Sequence, residues 1–380
     1  MSDFLSERMR GIEKTLIRRV NDKADPSCLN LGLGELAFPT PSAILDRLRD
    51  DVKTWPLGYT ANAGLPELRR LVADRSGLDV RADQVCITVG AEEAIFALLM
   101  VLVGPGDEVL VPDPGFPAYP TIVRMAGGTP VPYVLSAERG FRLNAEEAAR
   151  RITPKTRVVV VNSPNNPTGA VYSPEELRSL AALCGQNGLT VLSDEVYGEI
   201  LFEGRAESIS RYYDRTVVIN SLSKTYAMTG WRLGWCIGPP KIIQAVVTFN
   251  QLAISCPPAI CQRAAILALQ GVADEEKKGN VDELKRRRDL AARCLDGLPE
   301  LKYVLPRGAF YIYADISAKM PRGMNSLDVA LDIIAREKVV TIPGAAFGRA
   351  AENFLRVSFA APPADIEEGL RRLGRYFGRG

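Results

Sequence analysis

The sequence contains no histidine among its 380 residues. Imidazole is the general base of Ser-His-Asp and Cys-His catalysis and a common ligand of zinc and haem iron, so its absence excludes those mechanisms. Any chemistry must therefore use lysine, tyrosine, carboxylates, hydroxyls or thiols, or a bound cofactor. We predict no metal site.

Signals for disulfides, charged partners and membranes are also missing. The seven cysteines are odd in number and form no C-x-x-C pair, which favours free buried thiols in a reducing cytoplasm. Lysine and arginine number 47 against 45 aspartates and glutamates, a balance that gives no reason to expect nucleic acid or an acidic membrane as a partner. The amino terminus is too charged for a signal peptide, and the longest apolar run, residues 94–103, is too short to span a membrane. We expect a soluble cytoplasmic protein.

The length suits two domains, and the order of apolar runs predicts their class. Seven short β-branched runs alternate with helical stretches between residues 85 and 238, as in a parallel sheet buried on both faces. They are Val85–Val89, Glu108–Val111, Pro130–Leu135, Val158–Val161, Thr190–Leu192, Val217–Ile219 and Gly234–Ile237. We predict an α/β fold in which residues 46–284 form a large domain, with a mostly parallel seven-stranded sheet sandwiched by helices. Residues 1–45 and 285–380 form a smaller α+β domain, with strands near 309–314 and 354–359.

Two helices have clear signals. Ser173 is placed to cap a helix that starts at Pro174, with acids in its first turn. The charged stretch 274–289 predicts a long helix between the domains. Its basic run, residues 285–288, is neutralised by nearby acids, so we interpret it as a solvated helix face rather than a nucleic-acid site.

Polar and aromatic residues follow the carboxyl ends of the predicted strands, where ligands bind in open α/β sheets. Gly90 opens a helix whose free N–H groups can approach an anion, and Phe116 lies in a stiff loop like a stacking platform. Amides follow in the proline-rich turn 162–169, then Asp194, then Lys224 among hydroxyls. Taken singly, a tight turn, a core aromatic and a helix cap are alternatives for Gly90, Phe116 and Asp194.

Together these strand ends supply an anion cradle, an aromatic plate, an amide, a carboxylate and a lysine. That set matches a flat, phosphorylated cofactor that carries an aldehyde. A lysine amine can form a Schiff base with an aldehyde, and a buried carboxylate can keep a pyridine nitrogen protonated.

The chain resembles the pyridoxal-phosphate-dependent aminotransferases of classes I and II, the aspartate aminotransferase fold type. The resemblance runs from about residue 34 to residue 359 and is carried by Ser221-x-Ser223-Lys224-x5-Gly230-x-Arg232-x-Gly234, by Asn165-Asn166-Pro167-Thr168-Gly169 and by Asp194-Glu195-Val196-Tyr197. It implies an enzyme that uses pyridoxal 5'-phosphate to move the α-amino group of an L-amino acid to a 2-oxo acid, with 2-oxoglutarate as the expected acceptor.

The resemblance assigns the residues around the cofactor ring. Lys224 is implied to carry the cofactor and to move the substrate's α-proton, and Asp194 to pair with the pyridine nitrogen. Asn166 and Tyr197 are implied to bond the ring's phenolic oxygen, and Phe116 to stack on the ring. Lys224, Asp194 and Tyr197 form the implied catalytic set.

The phosphate and substrate residues follow from the same resemblance. Arg356 is implied to bind the substrate α-carboxylate as a bidentate fork, with Asn166 and Gly34 also beside the substrate. Tyr59 is implied to reach the phosphate of a partner subunit, which predicts a homodimer with shared active sites. The remaining phosphate ligands are implied to be Ser221, Ser223, Arg232 and the backbone of Gly90, Ala91 and Glu92. Many family members have a hydroxyl where this chain has Ala91 and Glu92, so Glu92 is expected to point away from the phosphate.

Other reactions remain open on this scaffold, namely C–S β-elimination and an aminocyclopropane-type synthase, and so does a non-catalytic binding protein. The substrate is a separate question. In one aspartate-specific branch an arginine for the second carboxylate stands four residues before a Ser-x-Pro-Pro turn, and this chain has Gln251 there. A neutral amide cannot supply that charged fork. We therefore expect a neutral, hydrophobic or aromatic, L-amino acid donor.

Overall fold

The structure is a computed structural model that describes residue 4 and residues 6–378. Its β-strands are β1 (Leu29–Asn30), β2 (Val85–Thr88), β3 (Glu108–Asp113), β4 (Thr129–Val134), β5 (Thr156–Asn162), β6 (Thr190–Asp194), β7 (Thr216–Ser221), β8 (Gly234–Ile237), β9 (Lys302–Tyr303), β10 (Tyr311–Asp315), β11 (Val339–Val340), β12 (Ile342–Pro343) and β13 (Phe354–Ser358). Its α-helices are α1 (Leu16–Asn21), α2 (Ser42–Asp51), α3 (Pro66–Arg75), α4 (Ala91–Leu102), α5 (Ala118–Met125), α6 (Ala145–Ala149), α7 (Pro174–Gln186), α8 (Leu222–Thr225), α9 (Pro240–Ala253), α10 (Ala259–Leu269), α11 (Asp274–Asp296), α12 (Ser326–Glu337) and α13 (Pro363–Phe377).

A seven-stranded sheet forms the centre of the molecule, in the order β2-β8-β7-β6-β5-β3-β4. The strands from β7 to β4 pair in parallel, and β8 runs antiparallel to both β2 and β7. Each of the seven expected runs coincides with one of these strands, so the predicted mostly parallel sheet is confirmed.

Helices cover both faces of this sheet. Val158 and Val160 of β5 pack in a buried cluster with α4, α5 and α9, whereas Val159 and Val161 pack with α6 and α7. Side chains alternate between the two faces of a strand, so a strand that is apolar throughout must be covered on both sides. The near-continuous apolar runs in the sequence have this physical cause.

The smaller unit contains an antiparallel sheet in the order β12-β13-β10-β9. The amino-terminal segment joins it, because β1 pairs in parallel with β11 and the Ser358 N–H donates to the Leu31 carbonyl at 2.7 Å. Helix α11 runs through residue 284, and the expected boundaries after residues 45 and 284 stay a prediction.

The helix signals gave one confirmation and one correction. Ser173 caps α7, accepting from the Glu176 N–H, while the Glu176 carboxylate accepts from the Ser173 N–H at 2.7 Å. Helix α11 is present, but its basic run is solvated only in part: Lys285 and Arg286 are exposed, whereas Arg287 and Arg288 are buried. They donate to backbone carbonyls of the smaller unit, including that of Ala360 at 2.8 Å, and lie over aromatic rings. Arginine can be buried in this way because carbonyls and ring faces replace its hydration.

No helix in the described part of the chain combines the length and the apolar character that a membrane crossing requires.

Candidate active site

A cavity of about 320 Å³ opens at the carboxyl ends of β5, β6 and β7, whose last residues Asn162, Asp194 and Ser221 line it. This is the edge of the sheet where the sequence predicted the site. The lining residues are Ile17, Gly34, Glu35, Ala91, Glu92, Ile95, Phe116, Tyr119, Asn162, Asn166, Asp194, Val196, Tyr197, Ser221, Ser223, Lys224, Thr229, Arg232, Tyr311 and Arg356.

Lys224 lies on α8, a single turn that directly follows β7. The Ser221 hydroxyl caps this turn by accepting from the Ser223 N–H at 3.3 Å. The Lys224 ammonium donates to the Gly34 carbonyl at 2.5 Å, so the amino-terminal segment closes over it. Burial, together with the nearby positive charge of Arg356, lowers the pKa of Lys224 to about 8. The amine can therefore be neutral near physiological pH.

Asp194 is a buried carboxylate with two hydrogen-bond donors. The Tyr119 hydroxyl donates to its Oδ2 at 2.6 Å, and the Val196 N–H donates to its Oδ1 at 3.3 Å. Burial raises the pKa of Asp194 to about 6, and the Tyr119 hydrogen bond limits that rise. Asp194 is therefore ionised above about pH 6, and it favours a cation placed against it.

Asn162 connects the Asp194 strand to the turn that holds Asn166. Its amide donates to the Asp194 carbonyl at 3.0 Å, and its oxygen accepts from the Asn166 N–H at 2.8 Å. The last residue of β5 thus fixes two predicted site residues relative to each other.

Arg356 on β13 is 2% exposed and faces the cavity. It donates to the Asn166 side-chain oxygen at 2.9 Å and to the Gly32 carbonyl at 2.6 Å. Its guanidinium lies 4.2 Å from the centre of the Tyr311 ring. The Arg356 Nε has no partner among the described residues, so one N–H of the fork remains for a ligand.

Tyr197 also lies in the cavity wall, where its hydroxyl is 3.0 Å from that of Tyr311. Burial raises the pKa of the Tyr197 phenol, which therefore stays a neutral donor at physiological pH. Phe116 lines the same cavity, and its ring packs edge-on against Tyr119 with 5.6 Å between ring centres.

Arg232 marks the cationic end of the cavity. It has a left-handed backbone, and its guanidinium donates to the Thr229 carbonyl at 2.9 Å. Gly90 has φ of +83°, and a Cβ there would lie 2.5 Å from the Arg232 Nη2. Only glycine lets the turn before α4 approach the guanidinium so closely. Ala91, Glu92, Ser221 and Ser223 also line the cavity, and the expected direction of the Glu92 side chain stays a prediction.

Tyr59 and Gln251 are outside this cavity. Tyr59 is 95% exposed, in a loop held by hydrogen bonds from Thr60 to the Cys256 sulfur and from Asn62 to the Ser255 carbonyl. Gln251 is exposed near the end of α9. The structure therefore does not bring Tyr59 to the cavity of its own chain.

The sequence interpretation missed several lining residues, among them Tyr119, Asn162 and Tyr311. Asn162 and Tyr119 were within reach, because each lies next to an identified strand end or loop. Tyr311 has no such signal, since it reaches the cavity from the other sheet. No three cysteine, aspartate or glutamate side chains gather as a metal ion needs anywhere in the described ranges.

The whole chain is similar to known aminotransferases. The family model for aminotransferase class I and II matches residues 26–373. An aromatic-amino-acid aminotransferase of Thermococcus litoralis is 36% identical, with 97% of each chain covered. The aspartate/prephenate aminotransferase of Thermus thermophilus is 35% identical, with 99% of each chain covered. A solved structure of aspartate aminotransferase from Thermus thermophilus with maleate has a TM-score of 0.93 and 34% identity, covering 98% of this chain and 99% of that one.

The fold and the cavity define an α/β enzyme with a buried lysine and a buried carboxylate at the carboxyl edge of the sheet. The matches to known proteins identify the class of enzyme. The chain belongs to the class I and II aminotransferase family. It is a pyridoxal-phosphate-dependent aminotransferase, as the sequence predicted.

The residues present fit this cofactor. Arg232, at the close approach of the Gly90 turn, supplies a cation for a phosphate, and the buried carboxyl of Asp194 offers an anion for a pyridinium. Lys224 supplies an amine of lowered pKa between them. Pyridoxal phosphate contributes an aldehyde that condenses with amines and a ring that withdraws electrons from the substrate's α-carbon.

Proposed function

We propose that this aminotransferase takes its amino group from a neutral, hydrophobic or aromatic L-amino acid. The observation that carries this proposal is the set of charges in the cavity wall. Within the described part of the chain, the cations of the lining are Lys224, Arg232 and Arg356, and the wall also contains Glu35 and Glu92.

Each of the three cations has a proposed task. Lys224 binds the cofactor and moves the α-proton, Arg232 holds the phosphate, and Arg356 takes the substrate α-carboxylate. A second substrate carboxylate would then meet glutamates rather than a free cation of its own chain. Charged hydrogen bonds contribute about 1.5–3 kcal/mol, so their absence disfavours aspartate as a donor. Gln251 supports the same conclusion, because it stands where one aspartate-specific branch has an arginine for the second carboxylate.

The proposed proton path depends on two protonation states. Lys224, neutral for part of the cycle, would accept the substrate's α-proton and release it to a cofactor carbon two bonds away, which a flexible side chain can reach. Asp194, ionised above about pH 6, keeps the pyridine nitrogen protonated. Asn166 and Tyr197 would donate to the phenolic oxygen, with Phe116 against the ring face.

We propose 2-oxoglutarate as the acceptor. Its second carboxylate lies one methylene further from the reacting carbon than that of aspartate, so it need not be enclosed and can stay hydrated. Relatives of this chain are named for aspartate or for aromatic amino acids, so the test must distinguish these two kinds of amino donor.

The test compares kcat/KM for phenylalanine, leucine, methionine, alanine and aspartate, each with 2-oxoglutarate as acceptor. We expect phenylalanine or leucine to exceed aspartate by at least about tenfold. A lead of aspartate by that factor would show that a cation outside this cavity wall, such as one from a partner subunit, binds the second carboxylate. Product release without any acceptor would instead indicate elimination.

We also propose a homodimer that shares its active sites. Exposed apolar side chains support it: Tyr59, Leu57, Leu252 and Ile260 lie on the loop and helices around the Ser255 turn, and Leu252 is 84% exposed. Such a patch is typical of a protein interface. A subunit placed there would cover Tyr59 and could bring it to the neighbouring cavity. We further propose a cytoplasmic location, supported by seven cysteines that are all free thiols.

A further inference from the structure

Asp113 is a buried carboxylate that lies outside the cavity and contacts the smaller unit. It is the last residue of β3 and is 6% exposed. Its Oδ2 accepts from the Arg349 N–H at 3.1 Å, and its Oδ1 accepts from the Ala350 N–H at 3.3 Å. No side-chain ion pair of Asp113 is present among the described residues. The carboxylate therefore connects the central sheet to the backbone between β12 and β13.

Gly348 shows how close this contact is. It has φ of +145°, and a Cβ at this position would lie 1.9 Å from the Asp113 Oδ1. Any side chain here would displace the carboxylate or the backbone. The segment 348–350 is thus shaped around Asp113.

Phe347, the residue before Gly348, connects the segment that contacts Asp113 with Arg356 in the cavity wall. Its carbonyl accepts from the Gly115 N–H at 2.8 Å, which also ties it to the loop of Phe116. Its ring lies against the Arg356 guanidinium, 4.9 Å from ring centre to Cζ. The placement of Arg356 therefore depends on where the segment 347–350 is held.

We propose that Asp113 is a positioning residue for the substrate α-carboxylate: it docks the segment 347–350 on the end of β3 and thereby fixes Phe347 against Arg356. The inference rests on the proposed role of Arg356. A buried carboxylate without hydrogen bonds is costly, and here two backbone N–H groups of the other unit, those of Arg349 and Ala350, offset part of that cost. Removing one acceptor should loosen the segment and with it the guanidinium.

The test uses the holoenzyme of Asp113→Asn, in which one carboxylate oxygen becomes an NH2 group facing backbone donors. The probe is 3-phenylpropionate, an unreactive carboxylate whose binding is followed by the visible absorption of the cofactor. We expect its Kd and the KM of the amino acid to rise by about tenfold, while kcat and the Kd of the cofactor change by less than about threefold. Gly348→Ala disturbs the same contact from the side of the smaller unit. It should likewise raise the Kd of the probe and the KM of the amino acid, with little change in kcat and in the Kd of the cofactor.

Asp107→Asn is the matched control. Asp107 lies just before the opposite end of β3 and accepts from the Gly104 N–H at 3.0 Å, far along the strand from the cavity. It should leave the Kd of the probe within about twofold, although it also weakens a partly buried turn hydrogen bond and the ion pair of Asp107 with Arg157. Arg356→Ala serves as the reference, with an expected loss of probe affinity of at least about fiftyfold.

Two different results would contradict two different claims. If Arg356→Ala weakens the probe but Asp113→Asn and Gly348→Ala do not, Asp113 does not position the arginine. If Arg356→Ala itself leaves the Kd unchanged, the α-carboxylate binds elsewhere, and both the proposed role of Arg356 and the inference built on it are wrong. Equal losses in kcat and cofactor affinity for Asp113→Asn would indicate a general structural role and overturn the proposal.

Discussion

Lys224 is buried in a site that disfavours its protonated form, and this determines when it can react. Burial lowers its pKa to about 8 from the ordinary 10.5, with Arg356 as the next contributor. Below pH 8 the amine is mostly protonated and cannot attack an aldehyde. The fraction of neutral amine, and hence the rate of attack, should fall about tenfold for each pH unit below that value.

The first prediction is the pH dependence of cofactor capture. The second-order rate constant for pyridoxal phosphate binding to the apoprotein should rise with pH and level off near pH 8. Stopped-flow absorption measures it, with N-α-acetyl-lysine as the unburied control, whose rate should keep rising toward its own pKa near 10. A protein rate that follows the free lysine would show that the amine is not perturbed. The Lys224→Ala protein should show no covalent capture of the cofactor.

Asp194 gives the second prediction. Asp194→Asn is nearly isosteric but removes the anion, so kcat/KM should fall by at least about a hundredfold with the melting temperature little changed. Tyr119→Phe removes only the 2.6 Å hydrogen bond and should cost less, about tenfold. Steady-state kinetics with thermal unfolding in parallel separate activity from stability. An Asp194→Asn enzyme with full activity would reduce Asp194 to a turn residue that accepts from the Val196 N–H.

At the scale of single residues, the sequence predicted the groups that stand directly after a strand. Lys224 and Asp194 lie in the cavity because a parallel sheet brings its strand ends to one edge, and Arg232 joins them because it lies just before the antiparallel strand β8. Tyr311 was not predicted because it belongs to the four-stranded sheet of the smaller unit. No local sequence pattern shows that this sheet packs against the cavity. The burial of Arg287 was not predicted for the same reason: its partners are carbonyls about 73 residues away in the chain.

Among the elements, the long buried strands were the most predictable. Within β5 and β7, residues 158–161 and 217–219 are apolar on both faces, a pattern that few other structures allow. The two-residue strands β1, β9, β11 and β12 carry no periodicity, so only tertiary pairing defines them. The helix that starts at Pro174 was predictable because its cap is local, with Ser173 and Glu176 three residues apart.

The turn between β2 and α4 gives the third prediction. Gly90→Ala places a Cβ 2.5 Å from the Arg232 Nη2 in a backbone with φ of +83°, so it should displace the guanidinium. We expect the Kd of pyridoxal phosphate to rise by about tenfold or more, as it would on weakening one charged phosphate contact. Fluorescence titration of the apoprotein measures this Kd.

Gly188→Ala is the control for backbone strain. Gly188 has φ of +61°, and a Cβ there would meet nothing within 4 Å. Both variants should lose about 1 kcal/mol of unfolding free energy, but only Gly90→Ala should bind the cofactor more weakly. Equal cofactor affinity in the two variants would show that the Gly90 turn does not hold the arginine that binds phosphate.

On the scale of the whole molecule, the position of Tyr59 distinguishes an active site built by one chain from an active site shared by two subunits. It is 95% exposed and absent from the lining of its own cavity, yet the resemblance to the family implies a contact with phosphate. Both statements hold together if Tyr59 serves the cavity of a second subunit. Each complete active site would then need Tyr59 from one chain and Lys224 from the other.

The last prediction follows from that arrangement. Tyr59→Ala and Lys224→Ala homodimers are mixed, unfolded and refolded together, at a cofactor concentration too low to saturate the Tyr59→Ala protein. Half of the dimers formed at random are hybrids, and each has one undamaged site, so activity should recover to about a quarter of the parent value. The matched control mixes Lys224→Ala with Asp194→Asn. Those two residues line one cavity of one chain, so every site of such a hybrid lacks one of them and activity should not return. No recovery in the first mixture would mean that each chain builds its active site alone, whereas recovery in the control would mean that Lys224 and Asp194 of one site come from different chains.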